Sequence, residues 1–108
     1  AGHLRIPHPP EYVEVNHHAF FVIFDSSENR RRFLSLLKEQ HTVSAYIGYV
    51  PLHSSVMGQK YGYKPDDLPL TENLGTRIVR LPFYTDLPAH GMDYCIDAMR
   101  KTLDTIYG

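Results

Sequence analysis

"HAFFVIFD" at residues 18–25 runs directly into "SSENRRRFLSLLKEQ" at residues 26–40, and this junction decides the fold. Its first half is a nearly continuous apolar and aromatic run that stops at Asp25. Such a run fits a strand buried on both faces, and therefore central in a sheet. Its second half carries a helix start. Asp25 with Glu28 three positions on is a variant of the capping box, in which side chains satisfy backbone donors left open in the first turn. Phe33, Leu36 and Leu37 then share one face, which predicts a helix over 27–40.

Downstream, "TVSAYIGYV" (42–50) is β-branched and aromatic, and the following Pro51 lacks the N–H that a ladder needs, so a strand ending near Gly48 is expected. From Ser54 to Leu70 glycines, prolines and the pair Asp66–Asp67 crowd together, which predicts a mobile loop with at most one helical turn around Val56–Tyr61. Thr71 reads as the cap of a short helix over "ENLGTRIV", with Leu74 and Ile78 on its inner face, followed by a brief extended "RLPF". Met92, Cys95, Ile96, Met99, Leu103 and Ile106 recur at helical spacing and predict an amphipathic helix over 89–107. The order β, α, β, loop, α, β, α gives an α+β fold: a small sheet of about three strands with helices packed on one face. Residues 1–10, rich in Pro and His, read as a linker end or cloning remnant, and residues 11–108 as one domain.

Hydrophobic residues make up 43% and charged residues 21% of the 108 residues, the balance of a chain that can bury a core. The formal charge of -1 supplies no basic footprint for nucleic acid or an anionic membrane, so neither is expected as a partner. One cysteine, Cys95, cannot form an internal disulfide, and a cytoplasmic setting is the expectation.

Seven histidines raise the question of a metal, but no HExxH or CxxC spacing is present, and none is expected. Arg30, Arg31 and Arg32 lie early in a helix, where its dipole disfavours cations, so they read as a solvated face or a domain interface. Cys95 lies on an apolar stripe, which suits a small hydrophobe rather than a nucleophile. None of the four lysines, Lys38, Lys60, Lys64 and Lys101, has the apolar setting that activates a Schiff-base amine. No complete active site is visible. What remains is "GYVPLHSS" (48–55), where a strand turned by Pro51 presents the Tyr49 hydroxyl and the His53 imidazole near the sheet edge. On the residues alone, the simpler reading of His53 is a hydrogen bond to nearby backbone.

"YVPLHSSVMGQKYG", "LPLTENLGTRIVRLPFYTDLP" and the terminal helix together resemble the C-terminal part of the DegT family of sugar-nucleotide aminotransferases. The resemblance implies a fold type I enzyme that uses pyridoxal phosphate and moves an amino group from glutamate to the C4 keto group of a dTDP-4-keto-6-deoxyhexose, in cell-surface polysaccharide or lipopolysaccharide biosynthesis. It places the Schiff-base lysine and the cofactor ligands in a preceding large domain, so this chain by itself is expected to be inactive, to hold no cofactor, and to meet dTDP-sugar and glutamate only through that domain; the whole enzyme would be a homodimer. It turns His53 into a substrate-facing donor, with Tyr49 as a second substrate contact and His18 as a structural residue. One departure is Gly48, where the family carries a histidine, which removes a side chain near the pocket. The competing expectation is a stand-alone ligand-binding or protein-interaction module using the same edge.

Overall fold

The structure is a computed structural model that describes residues 2–108. Its order is β1 (Leu4–Arg5), β2 (Phe21–Phe24), α1 (Ser27–His41), β3 (Tyr46–Ile47), α2 (Val56–Lys60), α3 (Pro69–Gly75), β4 (Ile78–Arg80) and α4 (Ala89–Tyr107), with single 3₁₀ turns at Leu52–Ser54 and Pro65–Asp67. Four strands form one antiparallel sheet in the order β1-β2-β4-β3. The α+β architecture matches the expectation, with one strand more: Leu4 and Arg5, inside the segment read as a linker end, pair with Phe24 and Ile23.

β2 is internal, as its composition predicts, but it is not buried on both faces. Val22 and Phe24 point into the core, while Phe21 and Ile23 are half-buried on the opposite face. The alternation follows from a sheet whose main core lies on one side. There Val22, Phe24 and Val79 meet Phe33 and Leu37 of α1, Val43, and Ala98 of α4. The Phe24 and Phe33 rings lie 5.0 Å apart in a tilted arrangement that suits their quadrupoles.

Ser26 caps α1, not Asp25: its Oγ accepts from the Asn29 amide at 3.1 Å. Asp25 instead accepts from Asn29 Nδ2 at 3.0 Å and from the Tyr107 hydroxyl at 2.8 Å, tying the start of α1 to the end of α4. These two bonds, Asn29 first, hold the Asp25 carboxyl below the usual carboxylate range. Burial, reinforced by the bond to Asp25, pushes the Tyr107 hydroxyl up to about 12.

In α4 the buried line is Ala98 and Thr102, not the larger residues at its start; Met92 and Ile96 are exposed. Small side chains let α4 approach α1 closely, and Thr102 satisfies its own hydroxyl by donating to the Ala98 carbonyl at 2.8 Å.

Three expectations fail between residues 42 and 80. The strand read over 42–50 shortens to Tyr46–Ile47 because the chain leaves α1 through Thr42 at φ 57, a left-handed turn that costs a β-branched residue and that buried Val43 holds in place. The loop read over 54–70 is mostly short helical turns. Pro65 and Pro69 stand at the first position of their turns, where the missing N–H is no loss. α3 therefore starts before Thr71, which caps nothing, and ends at Gly75, so Ile78 belongs to β4.

Candidate functional site

Residues 48–75 fold back against the outer face of the sheet and form two recesses that share Leu52 and Thr71. The first, about 650 Å³, is lined by His53 together with Met57, Tyr61, Tyr63 and Leu68. Ser55 shapes this wall. Its hydroxyl donates to the Leu52 carbonyl at 2.7 Å and accepts from the Gly58 amide at 3.1 Å, joining the 3₁₀ turn to α2.

His53 is only 6% exposed. Its Nε2 lies 3.3 Å from the Pro65 carbonyl oxygen and 3.0 Å from Glu72 Oε1. Both neighbours are acceptors, so the proton belongs on Nε2. The bond is made to the carbonyl; Glu72 Oε1 stands beside it in electrostatic contact without an aligned donor of its own. The imidazole thus ties the 3₁₀ turn that carries it to the 3₁₀ turn at Pro65 and to α3. A direct Nε2–H donation from His53 to a substrate, as the family resemblance implied, is unavailable while these contacts stand.

The second recess, about 490 Å³, holds His18, Tyr49 and Arg80 over apolar walls from Phe21, Leu74 and Ile78. Tyr49 is 82% exposed, and the Arg80 guanidinium carbon sits 5.6 Å from its ring centroid. His18 is exposed and its amide donates to Asn16 Oδ1 at 3.2 Å. Gly48 also lines this recess, and a Cβ there would approach Ile78 Cγ2 to 3.0 Å. Glycine at 48 therefore serves close packing on β4, which is a reason for the departure independent of the pocket.

The structure separates the two residues that the sequence paired, Tyr49 and His53, into different recesses. It adds two that sequence reasoning missed, Glu72 and Arg80. Neither recess is lined by a lysine, so a Schiff-base cofactor does not fit these two recesses, and Lys38, Lys60, Lys64 and Lys101 are all exposed. Arg30, half-buried, donates to the Gly75 carbonyl at 3.1 Å and links α1 to α3, whereas Arg31 and Arg32 are exposed.

Residues 1–100 match the DegT/DnrJ/EryC1/StrS aminotransferase family. The chain belongs to this family. A relative from Micromonospora megalomicea subsp. nigra, dTDP-3-amino-3,4,6-trideoxy-alpha-D-glucose transaminase, is 30% identical over 95 residues, covering 87% of this chain and 25% of the relative. The spore coat polysaccharide biosynthesis protein SpsC of Bacillus subtilis (strain 168) is 29% identical over 72 residues, 66% of this chain and 18% of that protein. Among solved structures, the aminotransferase TlmJ from Streptoalloteichus hindustanus superposes with a TM-score of 0.84 at 23% identity, covering 99% of this chain and 28% of that one. The PMP form of Spr1654 from Streptococcus pneumoniae, described as a sugar aminotransferase, gives 0.82 at 20% identity over 96% and 27%. This domain of the DegT/DnrJ/EryC1/StrS family thus spans about a quarter of the length of such relatives.

Proposed function

We propose that this chain, including the strand Leu4–Arg5 that joins its sheet, is the C-terminal small domain of a pyridoxal-phosphate-dependent sugar-nucleotide aminotransferase of the dTDP-4-amino-4,6-dideoxygalactose transaminase kind. The whole enzyme would move an amino group from glutamate to C4 of a dTDP-4-keto-6-deoxyhexose in the cytoplasm, as a homodimer, for cell-surface polysaccharide or lipopolysaccharide synthesis. The observation that carries this reading is the family match over residues 1–100 in a chain that covers 25% of a dTDP-aminosugar transaminase. Supporting it, Tyr49, Leu52, Val56, Tyr61 and Leu70 are each more than two-thirds exposed, a larger apolar and aromatic surface than an isolated domain favours.

In this reading the cofactor supplies the electron sink in the preceding domain, and the present residues shape one side of the sugar-nucleotide pocket. Tyr49 is the substrate contact. His53 holds the pocket wall through Pro65 and Glu72, so that its substrate effect is exerted through the position of residues 48–55.

The test is amino transfer by the whole protein that carries this chain. We expect glutamate to convert the cofactor absorbance from the pyridoxal to the pyridoxamine form, and dTDP-4-keto-6-deoxyhexose to reverse it. The 108-residue chain alone should do neither. A whole protein without cofactor absorbance, or a lone chain that binds dTDP tightly, would replace this reading with that of a stand-alone binding module, since a few contacts rarely overcome the cost of association.

A further inference from the structure

The structure points to an anion subsite in the second recess: we propose that Arg80, over the ring of Tyr49 and sharing its recess with His18, takes a phosphoryl group of the substrate. The inference rests on the reading above, where that group belongs to the diphosphate of the sugar nucleotide.

Three half-buried arginines surround α3 and β4, and two of them are engaged. Arg30 donates to the Gly75 carbonyl at 3.1 Å. Arg77 donates Nη1 to the Phe24 carbonyl at 3.2 Å and Nη2 to Asn73 Oδ1. Arg80 differs: among the described residues its guanidinium has no carboxylate partner and donates to no protein acceptor, and no acidic residue lines its recess. A partly desolvated guanidinium of this kind is stabilised in part by the face of Tyr49, 5.6 Å away. That contact leaves the edge of the planar fork, with its paired N–H donors, open to a bidentate phosphate oxygen pair. Apolar walls from Phe21, Leu74 and Ile78 lower the local dielectric and strengthen such a pair.

The backbone of Arg80 is held in the sheet. Arg80 lies on the internal strand β4, opposite Phe21 of β2 on one side and Tyr46 of β3 on the other. His18 adds a ring N–H to the same recess in either protonation state. The exposed Tyr49 ring offers a face to the ring-bearing part of the ligand. The donor role that the family resemblance implied for His53 thus passes to Arg80, one recess away.

A phosphoryl group could come from the sugar nucleotide or from the cofactor, and the experiment separates the two. In the cofactor-loaded whole protein, Arg80→Gln should weaken dTDP binding, measured by calorimetry, by about ten- to a hundredfold, the range for a hydrogen bond to a charged group. Arg80→Lys should restore part of the loss. Tyr49→Ala, at a position too exposed to endanger folding, should weaken dTDP about two- to fivefold. The Michaelis constant for glutamate and the cofactor content should stay at wild-type values in all three. Unchanged dTDP affinity in Arg80→Gln overturns the proposal, as does a loss of cofactor with dTDP affinity intact, which would assign the guanidinium to the cofactor phosphate. If the wild-type protein itself neither binds dTDP nor transfers an amino group, the functional reading fails first; if it does both and Arg80→Gln matches it, the subsite alone fails.

Discussion

Phe24→Ala is expected to destabilise the domain by about 3–5 kcal/mol, the cost of removing a large aromatic ring from a packed interior and leaving a cavity. Phe24 is 1% exposed, its ring packs on Phe33, and its backbone exchanges hydrogen bonds with Arg77: the amide donates to the Arg77 carbonyl at 3.0 Å and its carbonyl accepts from Arg77 Nη1 at 3.2 Å. The surrounding elements are anchored on several sides, so the hole has little freedom to collapse. Domains of this size are stable by only about 5–15 kcal/mol in total, so the variant should lose most of its cooperative melting transition. Thermal unfolding followed by circular dichroism reads this directly. A melting temperature within a few degrees of wild type would mean that the core does not centre on this ring.

Gly58→Ala should be the most damaging change outside the core. A Cβ at this position would sit 2.2 Å from the Leu52 carbonyl oxygen and 2.5 Å from that of His53, both backbone atoms that cannot rotate away. α2 would have to lift off the 3₁₀ turn, breaking the Ser55 link and shifting His53 from Glu72 and Pro65. Overpacking of this kind costs about 1–3 kcal/mol. Because the strain is confined to residues 52–72, amide exchange should accelerate there while α1 and α4 keep their protection. Uniform protection in the variant would contradict the tight approach of α2 to this turn.

The long elements were legible because their signals are local and redundant. Phe33 and Leu37 sit at helical spacing and are the residues that α1 buries, and the helix over 89–107 is found at those bounds. Short elements were misread where one residue type admits two uses. Pro65 and Pro69 read as breakers but start turns, and Thr71 has the chemistry of a cap without the position of one. β1 is two residues long and owes its existence to pairing with β2, which no local pattern encodes.

At the candidate site, Tyr49 and His53 stood out by type and by resemblance, but their environments depend on contacts distant in sequence. His53 meets Glu72 of α3, and Tyr49 meets Arg80 of β4. Glu72 and Arg80 carried only a faint signal: Glu72 reads as a polar residue of a short surface helix, and Arg80 opens the brief extended "RLPF", where nothing local shows that it ends a strand paired on both sides.

In the proposed enzyme, residues 48–52, with Arg80 behind them, form one side of a sugar-nucleotide site completed by a cofactor-carrying domain. Hydrogen exchange in the cofactor-loaded whole protein, with and without the dTDP-sugar, tests it most directly. Exchange is expected to slow at residues 17–20 and 48–52 on adding the nucleotide, with α4 unchanged. Protection confined to the rest of the protein, with these amides exchanging as before, would contradict it.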